Sequence, residues 1–454
     1  MKTFDFIELA RRMVSFDTSP LASTVELVQF LSGVATEMGL HAEIQNESQQ
    51  GVPQANIIIR TQPQKPGEQN LLLQSHLDTV DPGSYALWTK NQSNPFDAAI
   101  DEGHIYGLGV AEVKLDFLCK LFALYQVSQK NRKFQTLNPV LIGTFGEETG
   151  MLGALKIIRK NKINARYAII SEPSNLQIIN AAKGFATVEI RIPFSQEELD
   201  LREAHSRSSA ASSQSKVFSG KATHSSTPHL GENAAVKMFE YLSSLSDETL
   251  ILDMEAGSRF NMVPHQASVE ITTEPKLKNG ILQKLNKIYQ LVQNVENDMK
   301  QHLDDDFTPN HSTLSIGVVR LYEDYILVGG SCRIVPSVGQ DVYEKWIKMF
   351  YDSCEKIGAE FHLQDYKRPF RLSSKSILVK SAQNEMEKLG VASECRTMAS
   401  TNEASLFART GIECICIGIG EREENIHTPT EKVSLHQIEI AINFYEKMIE
   451  RLSD

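Results

Sequence analysis

His76-Leu77-Asp78, Glu112, the pair Glu147-Glu148, Glu172 before Pro173, and His427 fall in five short stretches spread over the chain. In order they read His-x-Asp, a lone acid, a Glu-Glu pair, another acid and a distant His. Two borderline divalent cations sharing one carboxylate need about that set of ligands, with one acid left over as a base. The chemistry that such a set serves is hydrolysis by metal-activated water.

Each stretch has its own local logic. At a strand end, residues i and i+2 share a face, so His76 and Asp78 can meet. A carboxylate bonded to one ring nitrogen fixes the imidazole tautomer and leaves the other nitrogen for a metal. Glu147 and Glu148 are bracketed by Gly146 and Gly150. Adjacent loop residues point to opposite sides, one towards a metal and one towards water on the substrate side. Taken alone, the pair reads equally well as acids set against a helix dipole. Pro173 biases Glu172 to extended backbone and so fixes where its side chain points. His427 lies in a polar loop beyond the apolar run 413–417, with Gly418-Ile419-Gly420 between them.

The elements that must position these groups alternate in type. Helical spacing over 3–14 and 24–38 is followed by β-type runs at His41–Ile44, Asn56–Arg60, Asn70–Gln74 and Pro139–Gly143. An amphipathic helix is expected at 112–129 and another at 151–159, then a buried strand at Tyr167–Ile170. Strands alternating with helices of this length indicate an α/β layer with a mostly parallel central sheet flanked by helices. His76, Glu147 and Glu172 fall just past strand ends, where open α/β sheets gather their sites.

From Lys183-Gly184 the character changes, with a half-exposed strand at Phe185–Ile192. The Ser-rich stretch 206–219 reads as a loop or linker. Helices near 232–246, 277–303 and 341–357, with strands near 266–273, 312–319 and 325–333, suggest an inserted α+β domain. Asp304-Asp305-Asp306 reads as a solvated loop. The α/β pattern resumes with helix 375–389, strand 413–417 and helix 435–452. The expected division is 1–183 and 365–454 for a split catalytic domain, and 184–364 for the insert.

Bulk properties bound the function. A chain of 454 residues calls for more than one core. Its composition, 41% hydrophobic and 23% charged, is that of a globular protein. A net charge of −11 argues against nucleic acid or an anionic membrane as partner. No stretch approaches the ~18 apolar residues that span a bilayer, and acids occupy the N-terminus, so a cytoplasmic location is expected. The six cysteines show neither knuckle nor disulfide spacing.

With these residues in this order, the chain resembles the M20 metallopeptidase and amidohydrolase family over nearly its whole length, from Ser15-Phe16-Asp17-Thr18-Ser19 to Glu431. The resemblance implies a split catalytic domain holding two metals, usually zinc, and an inserted lid that often mediates homodimerisation; cobalt or manganese are alternatives, since affinity order alone does not decide occupancy. It makes His76 and Glu172 ligands of one metal, Glu148 and His427 ligands of the other, Glu112 the bridge, Glu147 the general base and Asp78 the group orienting His76. His224, in Gly220–Pro228, corresponds to the lid histidine that stabilises the oxyanion, often from the partner subunit. Arg333, in Arg-x-x-Pro, would grip a substrate carboxylate; Asn261 matches the lid's Asn-containing segment, and Gly418 and Gly420 a glycine loop near substrate.

Departures concentrate in one motif. The family has Asp at the bridge, within Gly-Arg-Gly-x-x-Asp-x-Lys-Gly; here Glu112 stands there, Leu108 replaces the Arg, and Leu115-Asp116 follow the Lys. Asp116, one turn beyond Glu112, is a second candidate ligand. Asn402 stands where many members have Asp. The expected activity is cleavage of an amide in an N-acyl amino acid or short peptide carrying a free carboxylate. The alternative is a catalytically impaired member that binds a carboxylated, amino-acid-like ligand.

Overall fold

The computed structural model describes residues 4–65, 67–130, 134–160, 163–207, 212–278 and 280–454. The chain forms two compact units. One comprises Met1–Ala181, Phe370–Thr397 and Asn402–Asp454; the other comprises Ala182–Pro369 and Met398–Thr401.

In the first unit, runs of Ile, Leu and Val too apolar for a one-sided sheet become the middle strands of a mixed sheet. Its main path runs His41–Gln49, Val52–Arg60, Asn138–Thr144, Asn70–His76, Ala165–Ile170, Glu413–Cys416, Ile178–Ala182 and Phe370–Arg371. The four strands from Asn138–Thr144 to Glu413–Cys416 are parallel. On one side Val52–Arg60 and His41–Gln49 run antiparallel, and on the other so does Ile178–Ala182. The mostly parallel sheet expected from the alternation is therefore parallel only at its centre. The departure is local in origin: Gln50 and Gly51 have φ of 50° and 84°, which suits a tight two-residue turn and returns the chain as a hairpin.

The helix expected to be amphipathic, Lys114–Gln129, is buried on nearly every side, Lys114, Asp116 and Lys120 included. It packs between the sheet and the last helix, Leu435–Ser453. A small three-stranded sheet of Ala99–Asp101, His104–Tyr106 and Lys432–Ser434 ties the segment before Glu112 to the segment after His427.

The second unit is an antiparallel seven-stranded sheet, ordered Gln214–Ser219, Gln266–Thr273, Thr249–Ala256, Thr313–Leu321, Tyr325–Ile334, Gly184–Pro193 and Glu360–Lys367. Helices Gln196–Arg207, Ala234–Ser243, Ile281–Met299 and Gln340–Lys356 accompany it. The Ser-rich stretch is not one loop. Ser206 and Arg207 end a helix and 214–219 form an edge strand, while residues 208–211 lie outside the described residues. Nor is the acidic run fully solvated, because Asp304 is buried and its Oδ2 accepts the Ser337 N–H at 3.2 Å. Among the described residues, no helix is long and apolar enough to cross a membrane.

Candidate metal centre

His76 ends the strand Asn70–His76, and the following turn is braced from the N-terminal segment. The Thr18 hydroxyl donates to the Leu77 carbonyl at 2.8 Å, and the Thr79 N–H donates to the Thr18 carbonyl at 3.1 Å. His76 Nδ1 lies 3.0 Å from the Asp78 carbonyl oxygen and 3.6 Å from its Oδ1. A proton on Nδ1 donates to that carbonyl, with the carboxylate alongside, and leaves the lone pair on Nε2 for a metal. The Asp78 carboxylate has a second task. It accepts the Glu147 and Glu148 N–H groups at 3.1 and 3.0 Å, locking the Glu-Glu turn to the His76 loop.

Among the described residues, two groups of three side chains bring ligand atoms within 4.8 Å of one another: His76, Glu147 and Glu148, and Glu112, Glu148 and His427. Glu148 belongs to both. His427 Nε2 is 2.5 Å from Glu112 Oε2 and 3.4 Å from Glu148 Oε1. Glu431 holds the Glu112 segment by accepting the Gly109, Ala111 and Glu112 N–H groups at 3.1, 2.8 and 3.2 Å. The distal acid of the His427 stretch therefore positions a ligand loop.

Glu172 stands apart from both groups. Its Oε2 pairs with Arg422 Nη1 at 3.0 Å. Asp116 is also elsewhere, inside the helix layer, where Lys120, Ser171 and Tyr445 occupy its oxygens. Asn402 uses Oδ1 to accept the Ala404 N–H at 3.0 Å. Next to it Glu403, unremarked in the sequence, accepts from Gln74 Nε2 and from Thr144 Oγ1 beneath His76. Gly418 donates its N–H to Ser174 Oγ at 3.1 Å, and a Cβ there would sit 2.6 Å from the Glu172 carbonyl oxygen. The close approach that demands glycine is to the backbone of a candidate ligand.

In the second unit, the strand pair Thr223–His224 and Met262–Val263 sets His224 opposite Met262, and the Ser225 N–H donates to the Asn261 carbonyl at 2.9 Å. His224 and Asn261 are thus neighbours. Ala222, Met262 and Val263 also line a cavity of about 640 Å³ with Arg259, His265 and Arg320. Arg333 is buried on the strand Tyr325–Ile334, its guanidinium 4.5 Å from the Phe185 ring centroid.

Carboxylates outnumber cations at the centre, and burial sharpens the imbalance. Burial, with acid neighbours, pushes Glu147 well above the usual carboxylate range and Glu172 up to about 7. Burial likewise raises Glu403 to about 7. Burial also acts on Glu112, but the bond to His427 prevails and holds it low. Although burial opposes a charged imidazole, Glu112 and Glu148 push His427 up to about 10. Buried acids with raised proton affinity that outnumber the cations beside them suit a site built for divalent ions.

One prediction follows for the metal-stripped protein. Glu172 and Glu403 bind protons more tightly folded than unfolded, so stability is fullest below the unfolded pKa and is lost as pH rises through the folded one. Its melting temperature is expected to fall between about pH 5 and pH 7. Thermal melts in chelator check this; a flat or rising profile would contradict it.

This fold and this acid-rich centre agree with the sequence comparisons. The chain belongs to Peptidase family M20/M25/M40, whose profile matches residues 72–451. Acetylornithine deacetylase from Proteus mirabilis is 30% identical over 252 residues, 53% of this chain and 54% of that one. The Pasteurella multocida enzyme of the same name is 35% identical over 185 residues, 40% of each. The chain thus spans about half or less of the length of these curated relatives. Among solved structures, aminoacylhistidine dipeptidase from Vibrio alginolyticus superposes with a TM-score of 0.64 at 15% identity, covering 98% of this chain and 96% of that one. An M20 metallo-carboxypeptidase from Sulfolobus solfataricus gives 0.58 at 16%, covering 99% of each.

Proposed function

We propose that this chain is a metal-dependent amide hydrolase acting on an N-acyl amino acid or short peptide with a free carboxylate. The observation that supports it best is the pair of ligand groups meeting at Glu148, with Glu147 beside them. The donor set, imidazole and carboxylate only, suits zinc, with cobalt or manganese as alternatives. His76 and Glu172 would hold one ion, Glu148 and His427 the other, and Glu112 would bridge. Bound there, the ions would polarise the scissile carbonyl and lower the pKa of water.

The chain's own residues supply the rest. Glu147 takes a proton from the attacking water and returns it to the departing amine nitrogen, which its raised proton affinity favours. Asp78 keeps the His76 tautomer and the Glu147–Glu148 turn fixed. To His224 we give the oxyanion, to Arg333 the substrate carboxylate, and to Asn261 and Gly418 contacts with substrate, on the resemblance of their motifs. The same resemblance supports a homodimer formed through the second unit, and a cytoplasmic setting. Retention of Glu147 and His224 together with the ligand set supports activity over the impaired, ligand-binding alternative.

Equilibrium dialysis at saturating zinc is expected to give about two ions per chain. N-acetylornithine, the substrate named for the curated relatives, heads a panel of N-acyl amino acids and dipeptides for assay. A chain that binds no zinc and cleaves nothing in the panel would refute the proposal.

A further inference from the structure

Glu172 is the ligand that the structure separates from its set. Its side chain is 7% exposed, and its Oε2 accepts a hydrogen bond from a guanidinium, Arg422 Nη1, at 3.0 Å. Among the described residues, neither group of clustered ligand atoms contains Glu172; His76 instead meets Glu147 and Glu148. The loop carrying Arg422 is fastened at the two residues that precede it. Gly420 donates its N–H to Gln437 Oε1 at 2.9 Å and accepts the Asn175 N–H at 2.8 Å, while the Glu421 carbonyl accepts Asn425 Nδ2 at 2.9 Å. A Cβ at Gly420 would lie 2.6 Å from the Ala111 Cβ, so the loop seats directly on the Glu112 segment. Arg422 is therefore placed by backbone contacts at the edge of the acid cluster.

We infer that Arg422 is a resident cation on the Glu172 side of the centre, which competes with a metal ion for that carboxylate and makes one metal position much weaker than the other. This rests on the metal-centre reading proposed above. A guanidinium keeps its charge at any working pH and cannot yield the site by losing a proton. A divalent ion entering beside Glu172 must both displace Arg422 from the carboxylate and sit near its positive charge. The charge of Arg422 also reaches Glu112, but its guanidinium is bonded to Glu172, so the group Glu112, Glu148 and His427 is the tight position. Arg422 is thus a positioning residue, acting through Glu172.

The test is calorimetric titration of metal-free protein with zinc alone, comparing wild type with Arg422→Gln and Arg422→Lys. Wild type should show two steps of unequal affinity. In Arg422→Gln the weak step should tighten about 10- to 100-fold while the tight step stays put, the range that neighbours of ligands command. Arg422→Lys, which keeps the charge, should remain close to wild type and controls for loss of fold. Equal weak-step affinities in wild type and Arg422→Gln would overturn the inference. So would a weak step lost in Arg422→Gln, which would make Arg422 a helper of Glu172. Two unshifted steps would still leave the metal centre standing; no binding by any of the three proteins would remove both.

Discussion

Glu147→Gln is expected to lower turnover by about 10³-fold while the tight zinc position keeps its affinity. The substitution keeps size and a carbonyl oxygen but removes the group that accepts a proton from water. Placement makes the experiment discriminating, because Glu147 clusters with His76 and Glu148. It could serve there as a ligand or as the base. If it is a base, kcat falls and zinc binding at Glu112, Glu148 and His427 is untouched. If it is chiefly a ligand, zinc affinity falls first, and added zinc restores part of the rate. Glu148→Gln is the contrast, since Glu148 is common to both groups and its loss should weaken both positions. Paired kinetics and titrations of the two variants decide between the roles, and unchanged turnover in Glu147→Gln would end the assignment of Glu147 as base.

What the sequence made legible was whatever depends on near neighbours. Apolar runs ending at Leu73, Gly143 and Ile170 mark strand ends, and the acids after them do lie at the ends of adjacent parallel strands. Contacts between remote segments left no such mark. Arg422 and Glu172 are 250 residues apart, and nothing in either stretch names the other. The reading of Asp78 reached only to His76, two residues away, and left unseen that its carboxylate also accepts two backbone N–H groups about seventy residues on. The three-residue strands Ala99–Asp101 and His104–Tyr106 are too short to show a period of two. Three consecutive aspartates look solvated because the acceptor role of Asp304 depends on Ser337, 33 residues later. The antiparallel flank went unread because the expected runs at 41–44 and 56–60 stand well apart, whereas the strands extend to Gln49 and Val52 and leave only Gln50 and Gly51 to turn between them.

Lys120→Met is expected to cost about 3–5 kcal/mol of folding stability, the scale for orphaning one partner of a buried ion pair. Both Lys120 and Asp116 have fully buried side chains, 3.2 Å apart. Lys120 Nζ donates to the Gln74 carbonyl at 2.7 Å and to Ser171 Oγ at 2.6 Å, and Tyr445 donates to both Asp116 oxygens at 2.9 Å. These partners explain why the helix Lys114–Gln129 can carry charges where its neighbours are apolar. They also lie directly beneath the centre. Ser171 precedes Glu172, Ser75 precedes His76, and the two serine hydroxyls are 2.5 Å apart. Removing Lys120 leaves Asp116 charged, buried and short of a counter-ion. Removing both charges, in Lys120→Met with Asp116→Leu, should recover most of the loss, because no orphan charge remains. Chemical denaturation of the two variants measures the stability, and a single-variant loss under about 1 kcal/mol would show the pair to be solvated after all. Zinc titration then separates folding from positioning. If the network aligns Ser171-Glu172 and Ser75-His76, the restored double variant should still bind its weaker zinc less well than wild type, while the Glu112–Glu148–His427 position, which the network does not touch, should bind as before.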